Sequence, residues 1–301
     1  MIRIGIDLGG TAVKAGLFTE DGVLLGRAEF PTMKADGCAQ LLPDIAEHVR
    51  SLAAEHNVPL SECAAGIGVP GPVEEDGFTE AIPNLGLRNC HIGRELSALL
   101  GIPVRVLNDA NAAALGEYWT GAGRGSRSMI CVTLGTGVGA GIIRNGEVIG
   151  GAHGLGGEIG HILVNPEETE SCGCGAIGCL DQVASASGVL RYAKTKFGLP
   201  YPTAKDVCDA AKAGDAKAEA ALRYCMSFLG KALCIAGYTV DPELAVIGGG
   251  LSKAGPYLLD IIYDAYKDLP KLTAKRMEFR LAELGGDAGM TGAARYASTC
   301  L

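Results

Sequence analysis

The chain has 301 residues, enough for one large or two medium domains, and a net charge of -8. No Lys/Arg run marks a nucleic-acid surface and no apolar run is long enough to span a bilayer, so neither kind of partner is expected. Eleven cysteines follow an N-terminus, MIRIGIDLGG, that lacks the apolar core and cleavage site of a signal peptide; reduced thiols in the cytoplasm are expected. The 45 glycines fall in discrete clusters, as where backbone approaches a ligand.

Residues 2–8 read as a β-rich run ending in Asp7, followed by Gly9-Gly10-Thr11. Two further strands, 12–18 and 23–30, flank a turn at Glu20-Asp21-Gly22. The spacing of Leu41, Leu42, Ile45, Val49 and Leu52 predicts a helix over 38–56. A small-residue strand at 63–69 closes on Pro70-Gly71-Pro72, and 74–90 reads as a loop or small hairpin. A helix near 91–100 and a strand at 103–107 lead to Asn108-Asp109-Ala110-Asn111 and a helix beyond.

At 129–134 the pattern starts again: strand, Gly135-Thr136-Gly137, strand, a turn at Asn145-Gly146, strand. GIDLGGTAVKAGLFTEDGVLLG and CVTLGTGVGAGIIRNGEVIG match in kind, which implies an internal duplication, two α/β halves facing each other across a cleft. Between 151 and 181 stand His161, Cys172, Cys174 and Cys179, one imidazole and three thiols of the type zinc takes tetrahedrally. Gly173, Gly175 and Gly178 lie among the thiols, where backbone must turn tightly, whereas the other eight cysteines are scattered singly. Glu158, the free edge of His161 and Asp181 could converge on a polar ligand; Asp181 equally suits the cap of a helix starting near Gln182. Helices are expected at about 187–197, 204–213 and 215–238. A strand at 244–247 then closes on Gly248-Gly249-Gly250. A helix near 256–267, a strand near 278–282 and a helical tail at 288–300 complete the chain.

Three glycine turns thus follow strands directly, and backbone N–H groups in such turns make anion-binding concavities. One alone is usually just a turn. Two in duplicated halves, each with a Thr hydroxyl, point to a polyphosphate, and the third, opening a helix, could pack an adenine ring. Neither the P-loop nor the dinucleotide fingerprint fits the first turn. Phosphoryl transfer to a hydroxyl needs a group that accepts the hydroxyl proton. Asp109, at a strand end, suits that role, and Asp7, beside the first turn, suits a magnesium shell. Asn108-Asp109 also suit a helix cap, and Asp7 a carboxylate bonded to its own loop.

Together, Asp7-Leu8-Gly9-Gly10-Thr11, Asn108-Asp109-Ala110-Asn111, Leu134 to Gly141, Glu158-Ile159-Gly160-His161 and the Cys172 to Cys179 run resemble the ROK family of sugar kinases, most of all its bacterial glucokinases. The resemblance covers essentially the whole chain. It implies an actin-like ATPase (ribonuclease H-like) α/β fold of two domains, about 1–115 with 288–301 and 116–287, the second carrying a zinc-binding segment at 161–179. It implies ATP-dependent phosphorylation of a hexose, most simply glucose, with Asp109 as catalytic base. Gly71, Asn108, Glu158, His161 and Asp181 would contact the sugar. Asp7, Gly9, Gly10, Thr11, Lys14, Gly135, Thr136 and Gly137 would serve the Mg-ATP phosphates, Asp7 holding magnesium through water, and Gly249 and Gly250 would face adenosine. The zinc, on His161, Cys172, Cys174 and Cys179, would be structural, with His161 bridging metal and substrate. A homodimer or homotetramer is expected from the family.

One residue departs from the pattern: the glucokinases usually carry Glu where this chain has Asp181, one methylene shorter. An N-acetylmannosamine kinase, a fructokinase or a polyphosphate-using glucokinase are therefore the rival enzymes. A DNA-binding repressor of the same family would carry a helix-turn-helix before the first strand, which here begins at residue 2. A catalytically dead sugar sensor is disfavoured by the presence of Asp7, Asp109 and both phosphate turns.

Overall fold

Alternation along the first strand sets the layers of the first half. Ile4, Ile6 and Leu8 are buried on one side, while Gly5 and Asp7 face the other. The computed structural model describes residues 1–34, 38–74, 76–82, 85–269 and 277–300. In chain order its elements begin β1 (Ile2–Leu8), β2 (Ala12–Phe18), β3 (Leu24–Pro31), α1 (Cys38–Glu55), β4 (Cys63–Val69), β5 (Phe78–Ile82), β6 (Leu87–His91), α2 (Ile92–Leu100), β7 (Val104–Asn108), α3 (Asp109–Thr120), β8 (Ser128–Leu134), β9 (Val138–Arg144) and β10 (Glu147–Val148). They continue α4 (Leu180–Ala184), α5 (Ala186–Thr195), α6 (Ala204–Lys212), α7 (Ala216–Val240), β11 (Leu244–Gly248), α8 (Pro256–Tyr266), β12 (Glu278–Leu281) and α9 (Ala288–Tyr296).

Two compact units divide the chain: Met1–Gly125 with Gly141–Gly156 and Gly286–Leu301, and Ser126–Ala140 with Gly157–Gly285. In the first, the sheet runs β3-β2-β1-β4-β7, with β1, β2 and β3 antiparallel and β1, β4 and β7 parallel. Helices α1 and α2 cover one face through Ile45, Val49 and Leu96, packed with Ile4, Leu17 and Ile67. The C-terminal helix α9 lies on the other face, where a Cβ on Gly5 would sit 1.9 Å from the Met290 carbonyl oxygen. Against α3 the approach is closer still, since a Cβ on Gly292 would sit 1.7 Å from the Ala112 carbonyl oxygen. The stretch 74–90 is a hairpin, β5 against β6, with Phe78 opposite His91; its residues 75, 83 and 84 lie outside the described residues.

The second sheet runs β10-β9-β8-β11-β12, with β8, β11 and β12 parallel. Numbered within each five-stranded sheet, both orders read third, second, first, fourth, fifth. The repeat seen in the sequence is therefore a repeat of topology. Helix α7 meets α8 at Gly230, where a Cβ would lie 2.5 Å from the Ala265 carbonyl oxygen. The third glycine turn does not open an α-helix: Leu251–Ala254 form a 3-10 turn, and α8 starts only after Gly255, at φ +74°. Among the described residues no helix is long and apolar enough to cross a membrane.

Candidate functional site

In the first unit the chemistry gathers at the C-terminal ends of β1, β4 and β7. Asp7 stands near the end of β1, in register with Lys14 of β2. Its carboxylate lies against α9 where a side chain would collide; a Cβ on Gly289 would be 2.8 Å from Asp7 Cγ. Burial, then the charge of Asp109, push Asp7 up to about 6, against the pull of Lys14. Lys14 Nζ donates to the Gly286 carbonyl at 2.6 Å.

Asn108 ends β7 and caps α3, its Oδ1 accepting from Ala110 N at 2.9 Å and Asn111 N at 3.1 Å. Its amide also donates to the Gly71 carbonyl at 3.1 Å, and Gly71 has φ +101°. Asn108 therefore does the capping, and Asp109 is left as the first residue of the helix, its Oδ1 accepting from Ala110 N at 2.8 Å. Burial raises the Asp109 carboxyl above its ordinary value; that hydrogen bond works in the opposite direction. A carboxylate whose proton affinity is raised by a neighbouring carboxylate, as Asp7 is by Asp109, also suits a divalent cation.

The turn at Gly9-Gly10-Thr11 is braced from behind. Gly9 N donates to Ala12 O at 3.0 Å, and Thr32 Oγ1 donates to Gly9 O at 2.7 Å. Gly10 has open space where a side chain would be, and Thr11 is exposed.

In the second unit, Gly135 N closes its turn on Gly137 O at 2.9 Å, with Thr136 exposed at the tip. A Cβ on Gly249, at φ +84°, would lie 2.4 Å from Leu134 N, so the third turn packs directly behind the end of β8. Gly250 is open on its outer side. Thr136, Asp181, Ser185, Ser187 and Arg191 line part of a polar recess of about 200 Å³.

The four expected metal ligands converge. One ligand atom from each of His161, Cys172, Cys174 and Cys179 lies within 4.8 Å of all the others. Cys174 Sγ and Cys179 Sγ are 3.6 Å apart, far beyond a disulfide and close to the ~3.8 Å that tetrahedral ligands at 2.3 Å would show. Cys172 Sγ lies 3.9 Å from His161 Nδ1, and the other ring nitrogen is 4.0 Å from Glu158 Oε2. Gly175 and Gly178, at φ +90° and +93°, supply the tight turns among the thiols. Burial, then the neighbouring thiols, push Cys179 up to about 12, a repulsion that a cation on thiolates removes. The donor set and its spacing fit zinc.

Asp181 does not cap a helix. Cys179 is the N-cap of α4, and Gln182 Oε1 accepts from its N–H at 3.1 Å. Asp181 Oδ1 instead accepts from Val138 N at 2.6 Å, at the exit of the second turn. Also absent from the sequence reading is the anchor of the metal loop. Glu168 is bound by Arg191, by Tyr192 Oη at 2.8 Å and by two backbone N–H groups. An Arg and a Glu far apart in sequence give no signal that they will pair.

A family model described as ROK family matches residues 3–299. A glucokinase of Halalkalibacterium halodurans is 42% identical, over 96% of this chain and 92% of its own length. An N-acetylmannosamine kinase of Yersinia pseudotuberculosis is 33% identical, over 99% of each chain. The crystal structure of a ROK family glucokinase from Streptomyces griseus, in complex with glucose and AMPPNP, superposes with a TM-score of 0.82 at 33% identity. It covers 99% of this chain and 100% of that one. The fold is thus the actin-like ATPase fold, and the chain belongs to the ROK family.

Proposed function

We propose that this protein is an ATP-dependent glucokinase, converting glucose and ATP to glucose 6-phosphate and ADP. The observation that carries this reading is the state of Asp109. It is a half-buried carboxylate with raised proton affinity, held at the N-terminus of α3 by its own hydrogen bond while Asn108 does the capping. A base of raised pKa takes a hydroxyl proton more readily than an ordinary carboxylate. In this mechanism Asp109 Oδ2 receives the proton of the sugar hydroxyl. The hydroxyl oxygen forms its bond to the γ-phosphorus as the bridging bond to the β-phosphate breaks, and ADP leaves with that electron pair. Gly71, Asn108, Glu158 and His161 orient the sugar. The family's role for Asp181 is the same, though here its Oδ1 accepts from Val138 N.

Gly9, Gly10 and Thr11 with Lys14, and Gly135, Thr136 and Gly137, hold phosphates through backbone N–H and hydroxyl groups; Gly249 and Gly250 accept adenosine against bare backbone. Asp7 would hold magnesium, and that ion, when bound, would offset phosphate charge. His161, Cys172, Cys174 and Cys179 would hold a structural zinc, which would fix the orientation of the His161 ring.

The test is a coupled ADP-release assay across glucose, N-acetylmannosamine, mannose, fructose, allose and N-acetylglucosamine, with ATP or polyphosphate as donor. Glucose with ATP should give the highest kcat/KM by a wide margin. Asp109→Asn should lower kcat by about a hundredfold or more while glucose still binds. Near-normal turnover in that variant would remove Asp109 from the base role. The second reading is an N-acetylmannosamine kinase, motivated by Asp181 where glucokinases carry Glu and by the Yersinia relative. A higher kcat/KM on that sugar would establish it.

A further inference from the structure

We propose that the metal-binding loop is also the scaffold of the nucleotide turn, and that Asp181 is a positioning residue for Gly135–Val138 rather than a sugar contact. The inference rests on the reading that Gly135-Thr136-Gly137 holds nucleotide phosphates. Its basis is that four contacts on residues 135–138 all come from the stretch 160–186. Asp181 Oδ1 accepts from Val138 N at 2.6 Å. The Val138 carbonyl points at Gly160, where a Cβ would sit 2.1 Å from its oxygen. Gly137 lies against Asp181; a Cβ there would be 2.7 Å from Asp181 Oδ1. Ala186 N donates to Gly135 O at 2.8 Å.

The two sides of this clamp are both tied to the metal site. Gly160 immediately precedes His161, and Asp181 is two residues beyond Cys179. Leu180 N donates to Ile162 O at 3.0 Å, joining the two flanks. Drawing His161 and Cys179 to one ion therefore sets the separation of Gly160 and Asp181, the slot that Val138 occupies. Side-chain length fits the same picture. Gly137 lies directly against Asp181, so a Glu, longer by about 1.5 Å, could not accept this bond from Val138 N without folding back or moving the turn. The shorter acid is matched to Val138.

A hydrogen bond to a charged group that organises a phosphate turn should show in nucleotide affinity. The experiment uses the zinc-loaded protein and compares wild type, Asp181→Ala and Asp181→Asn. Calorimetry gives the Kd for Mg-ADP and for glucose, kinetics give KM for each substrate, and elemental analysis gives zinc per chain. We expect Asp181→Ala to weaken Mg-ADP binding about tenfold or more and to raise the ATP KM in parallel, with glucose affinity near wild type. Asp181→Asn keeps an oxygen that can accept from Val138 N and should recover part of the loss. If zinc is lost from Asp181→Ala, the comparison is made on Asp181→Asn and on Gly160→Ala, which presses on Val138 from the other side and should also weaken Mg-ADP. Loss of glucose affinity in the Asp181 variants with Mg-ADP binding unchanged would overturn the inference and return Asp181 to the sugar. Wild type that binds Mg-ADP but phosphorylates no hexose would instead count against the glucokinase reading, leaving the calorimetric comparison to decide this one.

Discussion

Replacing Glu168 by Gln tests what anchors the metal loop. The Glu168 side chain is 3% exposed and receives Arg191 on both oxygens, with Nη1 at 3.2 Å from Oε1. Tyr192 Oη at 2.8 Å and the N–H groups of Thr169 and Glu170, at 3.0 and 3.2 Å, complete its shell. The Arg191 guanidinium first, then these donors, outweigh burial and hold the carboxyl down to about 2 against an ordinary 4.5. That difference corresponds to about 3 kcal/mol in favour of the ionised folded state. The Arg191 side chain keeps 27% exposure, so water shares part of the pair, and we expect the neutral amide to cost about 2 kcal/mol. The sign with pH is fixed. The folded carboxyl titrates below the unfolded one, so its contribution is complete above about 4.5 and disappears as pH falls towards 2. Urea unfolding of wild type and variant should show the full gap at neutral pH and a narrowing gap under acid. Equal stability at neutral pH, or a gap that does not shrink below about 4.5, would refute the argument.

Asp7 carries the opposite sign. Because burial and Asp109 raise it to about 6, ionising it weakens the folded state as pH climbs from about 4 to 6. Asp7→Asn should therefore raise stability at neutral pH by about 1–3 kcal/mol while lowering Mg-ATP turnover, measured by denaturant melts and the coupled assay. Zinc should be present at about one ion per chain and be lost from Cys174→Ser, with elemental analysis as the readout; protein purified without any zinc would sink the cluster. Gly292→Ala places a methyl 1.7 Å from the Ala112 carbonyl and should cost about 3 kcal/mol or more, seen as a lowered melting temperature.

Most elements were legible because their signals are local. β-rich runs on either side of the Gly/Thr turns marked β1, β2, β8 and β9, and the apolar spacing from Leu41 to Leu52 marked α1. The cluster of His161, Cys172, Cys174 and Cys179 was legible for a chemical reason, since three thiols and an imidazole within nineteen positions suit a metal. Other features could not be read this way. Asn108 and Asp109 are both good caps, and only the geometry of β7 running into α3 assigns the cap to Asn108 and leaves Asp109 as the first residue of the helix. At Asp181 the local rule failed outright: Cys179 takes the cap, and a backbone N–H forty-three residues earlier takes the carboxylate.

By itself, then, the sequence determined the repeated strand-turn-strand units, the glycine turns, the Cys/His cluster and the acidic residues at strand ends. Each of these is written in neighbouring residues. Tertiary structure alone decided which of those groups face one another. The pairing of Asp181 with Val138, of Glu168 with Arg191, and the contact of Gly292 with α3 join segments distant in the chain. Such pairings are chosen by close packing and by the cost of leaving a buried polar group without a partner, terms that exist only once the chain has folded.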